Sequence, residues 1–185
     1  VVILATPVDP IIPQARRLAR YMKPGSVLTD VGSIKAGIVA RLERALPKGV
    51  AFVGAHPLAG SEARGIEAAD ARLFDGAVCI VTPTLRTSRA ALRRVEQLWR
   101  PLVGRIIRMS PREHDDTLAA TSHLPHLVSS CLAGAVQPCS RHSAAPSFLE
   151  MTRLAMSDPD LWDDIFLGNR RALLGAMGRF ERQWR

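Results

Sequence analysis

The stretch Ser26–Pro57, "SVLTDVGSIKAGIVARLERALPKGVAFVGAHP", decides the fold class. "SVLTDVG" reads as a strand, "SIKAGIVARLERAL" as a helix opened by a Ser33 cap, "PKG" as its stop, and "VAFVGA" as the next strand. Strand, helix and strand in that order imply a parallel pair joined by a crossover helix. Pro57 biases His56 toward extended backbone, so the histidine is expected at a strand tip. In an open α/β sheet that is the edge where ligands bind.

The same alternation extends in both directions. Upstream, "VVILATPV" is an unbroken apolar run of the kind buried on both faces of a sheet. The helix "DPIIPQARRLARYM" follows, with Ile11, Ala15, Leu18 and Ala19 on one face and "KPGS" as its stop. Downstream, strand "AVCIVTP", helix "SRAALRRVEQLWRPL" and strand "GRIIRMS" complete an α/β part. From Pro111 no strand pattern recurs. "SPREHDDTLAATSHLPHLVSSCLAGAV" starts a helix at Ser110, Pro111 and Glu113, another begins near Pro146, and "DPDLWDDIFLGNRRALLGAMGRFERQW" makes a third amphipathic stretch. The expectation is α/β then all-α, with residues 1–109 and 110–185 as the two domains. A dinucleotide-binding sheet normally opens on a G-x-G-x-x-G turn. None occurs here, so the first part reads as the later half of a Rossmann-type parallel sheet.

Composition narrows the function. The formal net charge of +8 rests almost wholly on arginine, Lys23, Lys35 and Lys48 being the only lysines. The arginines are scattered at helical spacings with no aromatic-interleaved basic tract, which argues against nucleic acid and leaves anionic small molecules as a use for the positive field. The most membrane-like segment, "LAATSHLPHLVSSCLAGAV", carries two histidines and a proline and reads as a buried helix, so no membrane partner is expected. Cys79, Cys131 and Cys139 lack metal-ligand spacing and read as small core residues in a reducing cytoplasm.

Three constellations carry candidate chemistry. In "LTDVGSIK", Asp30 and Gly32 end a strand and Ser33 opens a helix, whose N-terminal N–H groups face the sheet's carboxyl edge; Ser33 is read as a cap or as a site residue. In "TSHLPH", His123 and His126 lie on one helical face and can point into one cleft, while Pro125 bends the rod. H-x-x-H is also half a metal site, yet no further cluster completes a shell and no metal is expected. "EHDD", Glu113–Asp116, reads as capping and surface charge. In "EMTRLAMSDPDLW", Arg153 needs an anion, either Glu150 or a substrate carboxylate. "SDP" is a helix stop and restart.

Together "TDVGSIK", "VGAHPLAGSEARG", "TSHLPH" and "TRLAMSDPDLWDDIFLGN" resemble, in order and over nearly the whole chain, the motifs of the prephenate dehydrogenase family. The resemblance implies a Rossmann domain followed by a helical dimerisation domain, with this chain starting in the fourth strand of the former. It implies oxidative decarboxylation of prephenate to 4-hydroxyphenylpyruvate with hydride transfer to NAD or NADP, in a cytoplasmic homodimer. Arogenate dehydrogenation giving tyrosine, and a non-catalytic remnant that dimerises or binds a ligand, are the alternatives. By resemblance His56 accepts the hydrogen bond of the ring hydroxyl and Ser33 orients it. His126 and Arg153 hold the side-chain carboxylate, Ser122 and His123 lie nearby, and Glu62 lines the entrance. Thr6, Pro7, Asp30, Gly32, Ser33, His56 and Pro57 contact the cofactor. The segment "HSAAPSFLEMTR" departs from the glycine-rich family pattern, and Glu150 stands where Asp is common.

Overall fold

The computed structural model describes residues 1–60, 67, 69–137 and 143–185. They divide into two compact units, Val1–Asp115 and Asp116–Arg185. The first contains β1 (Val2–Leu4), α1 (Val8–Ala19), β2 (Val27–Asp30), α2 (Ala36–Ala45), β3 (Ala51–Pro57), β4 (Val78–Thr82), α3 (Arg89–Trp99) and β5 (Arg105–Arg108). These strands form one sheet in the order β1-β2-β3-β4-β5. Three of the four pairings are parallel, β1 with β2, β2 with β3 and β4 with β5. The fourth corrects the fully parallel expectation, because β3 and β4 run antiparallel with His56 opposite Ile80. Parallel neighbours need a crossover, usually a helix. The described residues between β3 and β4 hold no α-helix; residues 71–76 form turns.

Alternation along the strands explains why both faces are covered. Val27, Val53, Ala55, Cys79 and Val81 pack with Ala91, Val95 and Trp99 of α3. On the other face Gly54 lies against Val39 of α2. Ile11, Ala15 and Ala19 of α1 are buried, whereas Leu18, assigned to the same face by its spacing, is 40% exposed. The first strand is also shorter than its apolar run suggests. Only Val2–Leu4 pairs, at the edge of the sheet, and Val2 and Ile3 remain 37% and 40% exposed, so this strand is not buried on both faces. Pro7 then sets the entry to α1, which already includes Val8.

The unit boundary falls inside α4 (Pro111–Leu118). Its start is the capping box that the sequence suggests, with Glu113 N–H donating to Ser110 Oγ at 3.1 Å and Ser110 N–H to Glu113 Oε2 at 3.4 Å. A π-helical turn, Ala119–His123, leads into α5 (Leu124–Ala135). Leu124 N–H donates to Ala119 O, and the next residue, Pro125, has no N–H to give. Then come α6 (Pro146–Thr152), a 3-10 turn (Arg153–Met156), α7 (Pro159–Gly168) and α8 (Arg170–Trp184). Asp158 caps α7 through Leu161 N–H at 3.1 Å, with Pro159 at its first position, as "SDP" implies. The single third stretch is in fact two helices, divided at Asn169 (φ −113°).

Ala119, Ala172 and Ala176 form a small-residue core with Leu124 packed against it. Ser129 is the one buried residue of α5, so the buried-helix reading of that segment does not hold. Cys79 is buried and Cys131 exposed, against the expectation of a core thiol at both; Cys139 lies outside the described residues. Among the described residues no helix is long and apolar enough to cross a membrane.

A Cβ at Gly54 would lie 2.5 Å from Thr82 Oγ1, 3.0 Å from Lys35 Cδ and 3.1 Å from Val39 Cγ2, whereas one at exposed Gly37 meets nothing within 4 Å. Gly54→Ala is expected to cost about 1–3 kcal/mol from overpacking. Gly37→Ala should add roughly 0.5 kcal/mol by restricting the unfolded chain. Urea unfolding of the two variants checks both signs.

Candidate active site

The site is built on the turn from β2 to α2. Asp30 and Lys35 are both fully buried and pair at 2.5 Å. The ammonium also donates to Gly32 O at 2.7 Å and Ile34 O at 3.0 Å, which uses all three of its protons. The Asp30 carboxylate further accepts Gly32 N–H at 3.1 Å and, across the strand gap, Ala55 N–H at 3.2 Å. Glycine is required at 32, where a Cβ would come within 2.8 Å of Ile11 Cδ1 and 3.0 Å of Asp30 Oδ2. Both Asp30 oxygens are thus engaged inside the protein.

The N-terminus of α2 is held from far along the chain. Lys35 N–H donates to Asp115 Oδ1 at 2.7 Å and Ala36 N–H to Asp115 Oδ2 at 2.8 Å. A carboxylate there satisfies orphan donors and complements the helix dipole. Ser33 is consequently not the cap; the N-cap position belongs to Lys35, and Ser33 sits half-buried in the preceding turn.

"EHDD" is likewise corrected. Glu113 caps its own helix and exposed Asp116 pairs with Arg171 at 2.7 Å, but His114 and Asp115 are 0% and 3% exposed. His114 Nδ1 lies 2.8 Å from Asp115 Oδ1, and its Nε2 lies 2.9 Å from His56 Nδ1. The two imidazoles are tilted by 56° with centroids 5.1 Å apart. Burial pushes the His114 pKa below the ordinary histidine value, with the bond to Asp115 opposing it. The neighbouring Cys79 thiol is pushed up to about 12, chiefly by burial, so it stays protonated and unreactive.

His56 is half-buried at the penultimate position of β3, one residue before the strand ends at Pro57 beside antiparallel β4. Register still places it well. Thr29 pairs with Val53, so Gly32 and His56 lie at the same level at the carboxyl end of the parallel strands. Thr6 and Pro7 follow β1 at that same edge, with Thr6 Oγ1 donating to Gln14 Oε1 at 3.2 Å. A basic groove of about 1070 Å³ lies elsewhere, beside the last turns of α1 and α2, lined by Arg16, Arg17, Arg20 and Lys48. Cations at helix C-termini are favoured by the dipole alone.

In the second unit the two histidines meet one tryptophan. His126 stacks on Trp162 with centroids 3.5 Å apart and 21° between planes, and its Nδ1–H donates to Ser122 O at 3.0 Å. His123 approaches Trp162 edge-on at 6.0 Å, but it is 1% exposed and bonded to the Asn169 amide at 3.2 Å, so the pair does not point together into a cleft. Arg153 is exposed at the start of the 3-10 turn, which Ser129 Oγ ties to α5 by accepting Ala155 N–H at 3.1 Å. Glu62 lies outside the described residues. Among the described residues no group of three or more His, Cys, Asp or Glu could hold a metal ion.

A parallel-dominated sheet covered on both faces, with a histidine at its carboxyl edge and a helical unit following, defines a Rossmann-type nucleotide-binding unit joined to an α-helical one. Residues 1–108 match the family model "Prephenate dehydrogenase, nucleotide-binding domain" and residues 110–185 "Prephenate dehydrogenase, dimerization domain". The chain belongs to the prephenate dehydrogenase family. It is 38% identical to cyclohexadienyl dehydrogenase of Zymomonas mobilis, over 97% of this chain and 63% of that one. It is 34% identical to prephenate dehydrogenase of Bacillus subtilis, over 98% of this chain and 51% of that one. The solved structure of prephenate dehydrogenase from A. aeolicus with hydroxyphenyl propionate and NAD+ superimposes with a TM-score of 0.87 at 35% identity, covering 99% of this chain and 65% of that one. The chain thus spans between about half and two thirds of the length of these relatives.

Lys35→Met leaves the Asp30 carboxylate buried without its counter-ion and is expected to cost about 3–5 kcal/mol in urea unfolding. Adding Asp30→Asn, which removes the stranded charge, should recover part of that loss.

Proposed function

We propose that the chain supplies the reacting histidine and substrate-holding residues of a cytoplasmic enzyme that oxidises and decarboxylates prephenate to 4-hydroxyphenylpyruvate. The observation that carries this reading is His56 at the sheet's carboxyl edge, backed by His114 and Asp115, in a chain of this family. A relative's structure with NAD+ supports the cofactor class. NAD(P)+ supplies the hydride acceptor.

The residues at the sheet edge suit the nicotinamide end of that cofactor. Thr6, Pro7, Gly32, Ser33 and Pro57 offer hydroxyl and backbone groups in register beside His56. The N-terminus of α2 does not suit the pyrophosphate, since its first N–H groups are already bonded to Asp115. The sequence contains no G-x-G-x-x-G turn to take that role.

The protein's share of the chemistry is modest. The ring carbon bearing the hydroxyl gives up hydride, the ring carboxylate leaves as CO2, and its electron pair completes the aromatic ring. His56 accepts the hydrogen bond of the ring hydroxyl as hydride departs, and Ser33 hydrogen-bonds the same hydroxyl and orients His56. His126 and Arg153 hold the side-chain carboxylate, with Ser122 bonded to His126 through its carbonyl. A cation on the leaving carboxylate would stabilise the ground state and oppose CO2 loss, so Arg153 belongs at the other end.

A homodimer is part of the proposal. Leu174, Met177, Phe180 and Trp184 are 53%, 38%, 43% and 83% exposed and follow one another at helical spacing along α8. The description of the matching family model supports that use of the second unit. Leu174→Glu with Phe180→Glu should raise the dimer dissociation constant at least about tenfold in sedimentation, each buried apolar side chain contributing roughly 1.5–3 kcal/mol.

The activity test follows reduced cofactor at 340 nm with prephenate and then arogenate. It uses the chain beside a version lengthened with the parts of the B. subtilis relative outside the match. Prephenate-dependent reduction is expected in the lengthened protein, and His56→Asn should lower kcat by about 10²–10⁴ with little change in cofactor affinity. Turnover of arogenate alone would reassign the substrate. Reduction with neither substrate would leave a non-catalytic, ligand-binding or dimerising remnant.

A further inference from the structure

The buried carboxylate and imidazole behind His56 do more than fill space. Asp115 caps α2 with both oxygens, Oδ1 on Lys35 N–H and Oδ2 on Ala36 N–H, an arrangement that calls for the ionised, acceptor-only carboxylate. The nitrogen that meets Oδ1 at 2.8 Å, His114 Nδ1, must then be the protonated one. His114 is fully buried, and burial disfavours the imidazolium, so Nε2 is left with a lone pair. Two lone pairs cannot face each other at 2.9 Å, and His56 Nδ1 must therefore carry a proton toward His114 Nε2.

We propose that Asp115 and His114 are positioning residues that fix the tautomer of His56, holding its proton on Nδ1 and leaving Nε2 unprotonated, the state in which an imidazole accepts a hydroxyl hydrogen bond. The assignment rests on the catalytic reading of His56 given above. Which imidazole nitrogen is protonated is set by the bond the other nitrogen makes. Here the determining bond originates one ring further back, at a carboxylate fixed by a helix N-terminus. Among the described residues, the other charged or titratable groups beside His114 are Asp30, Lys35 and Cys79. Asp30 and Lys35 pair with each other and Cys79 stays protonated.

Long-range proton–nitrogen correlation spectra of the 15N-histidine-labelled chain at neutral pH read the tautomers directly, with His56 assigned by its loss in His56→Asn. Protonated Nδ1 and unprotonated Nε2 are expected at both His56 and His114. In His114→Phe, which keeps a ring but removes the acceptor, the His56 proton should move wholly or partly to Nε2. In His114→Gln, whose amide oxygen can accept the same bond, it should stay on Nδ1. A His56 proton on Nε2 in the unaltered chain, or a tautomer indifferent to His114→Phe, overturns the relay. In the lengthened enzyme His114→Phe should lower kcat by about ten- to a hundredfold with KM for NAD+ unchanged. The two readings fail separately. The expected tautomers without turnover of either substrate leave the relay standing and refute the reaction, while prephenate turnover with His56 protonated on Nε2 refutes the relay alone.

Discussion

A lysine with no solvent exposure has to be neutralised where it lies, and Lys35 does so through Asp30 at 2.5 Å and two carbonyls of its own turn. Burying such a pair carries a desolvation cost that only good geometry offsets. The local sequence follows from it: Gly32 must lack a side chain so that Asp30 can fold back, and Gly54 must lack one so that the lysine stem can cross β3. Once the ammonium is fixed, so is the Lys35 backbone. Its N–H and that of Ala36 define a receptor for one carboxylate, which Asp115 fills. From Asp115 the chain of constraint runs to His114 and on to His56, the histidine at the sheet's carboxyl edge.

Much of this fold is written in local pattern. Strand and helix alternation needs only neighbours to form, and the turn signals around "KPG" and "PKG" act over a few residues, so β2, α2 and β3 are legible directly. The capping box at Ser110 and the restart at "SDP" are legible for the same reason. What the sequence conceals is partnership across long separations. Nothing near Ser33 announces that the cap of its helix comes from Asp115, and nothing in the apolar pattern of β4 announces that it runs antiparallel to β3.

The site was legible by residue type and less so by environment. His56 lies at the predicted edge, yet "EHDD" conceals two buried groups between two exposed ones. Helical periodicity carried the missing signal, because His114 and Asp115 stand one turn before Leu118 and Ala119, which are 5% and 0% exposed. Polar residues on an inward face mark a satisfied network, and here each of the two is hydrogen-bonded. Trp162 escaped notice for a different reason. A tryptophan in a helix reads as core until the ring stacked on it is seen, and that ring belongs to His126.

The capped helix also constrains how an anion can be recognised. Helix N-termini offer ready-made sites for phosphate and carboxylate through their unpaired N–H groups. In this protein the donors at the start of α2, the helix beside His56, are committed to an internal carboxylate. Recognition of a negatively charged ligand by that helix end would require displacing Asp115, which would release His114 and with it the orientation of His56. A bound anion is thus left to side-chain cations or to other backbone segments under the proposed reaction. The formal charge of +8, carried mainly by arginine, supplies such groups. With the helix N-terminus bonded to Asp115, the His114 imidazole is held in a fixed orientation between that carboxylate and His56.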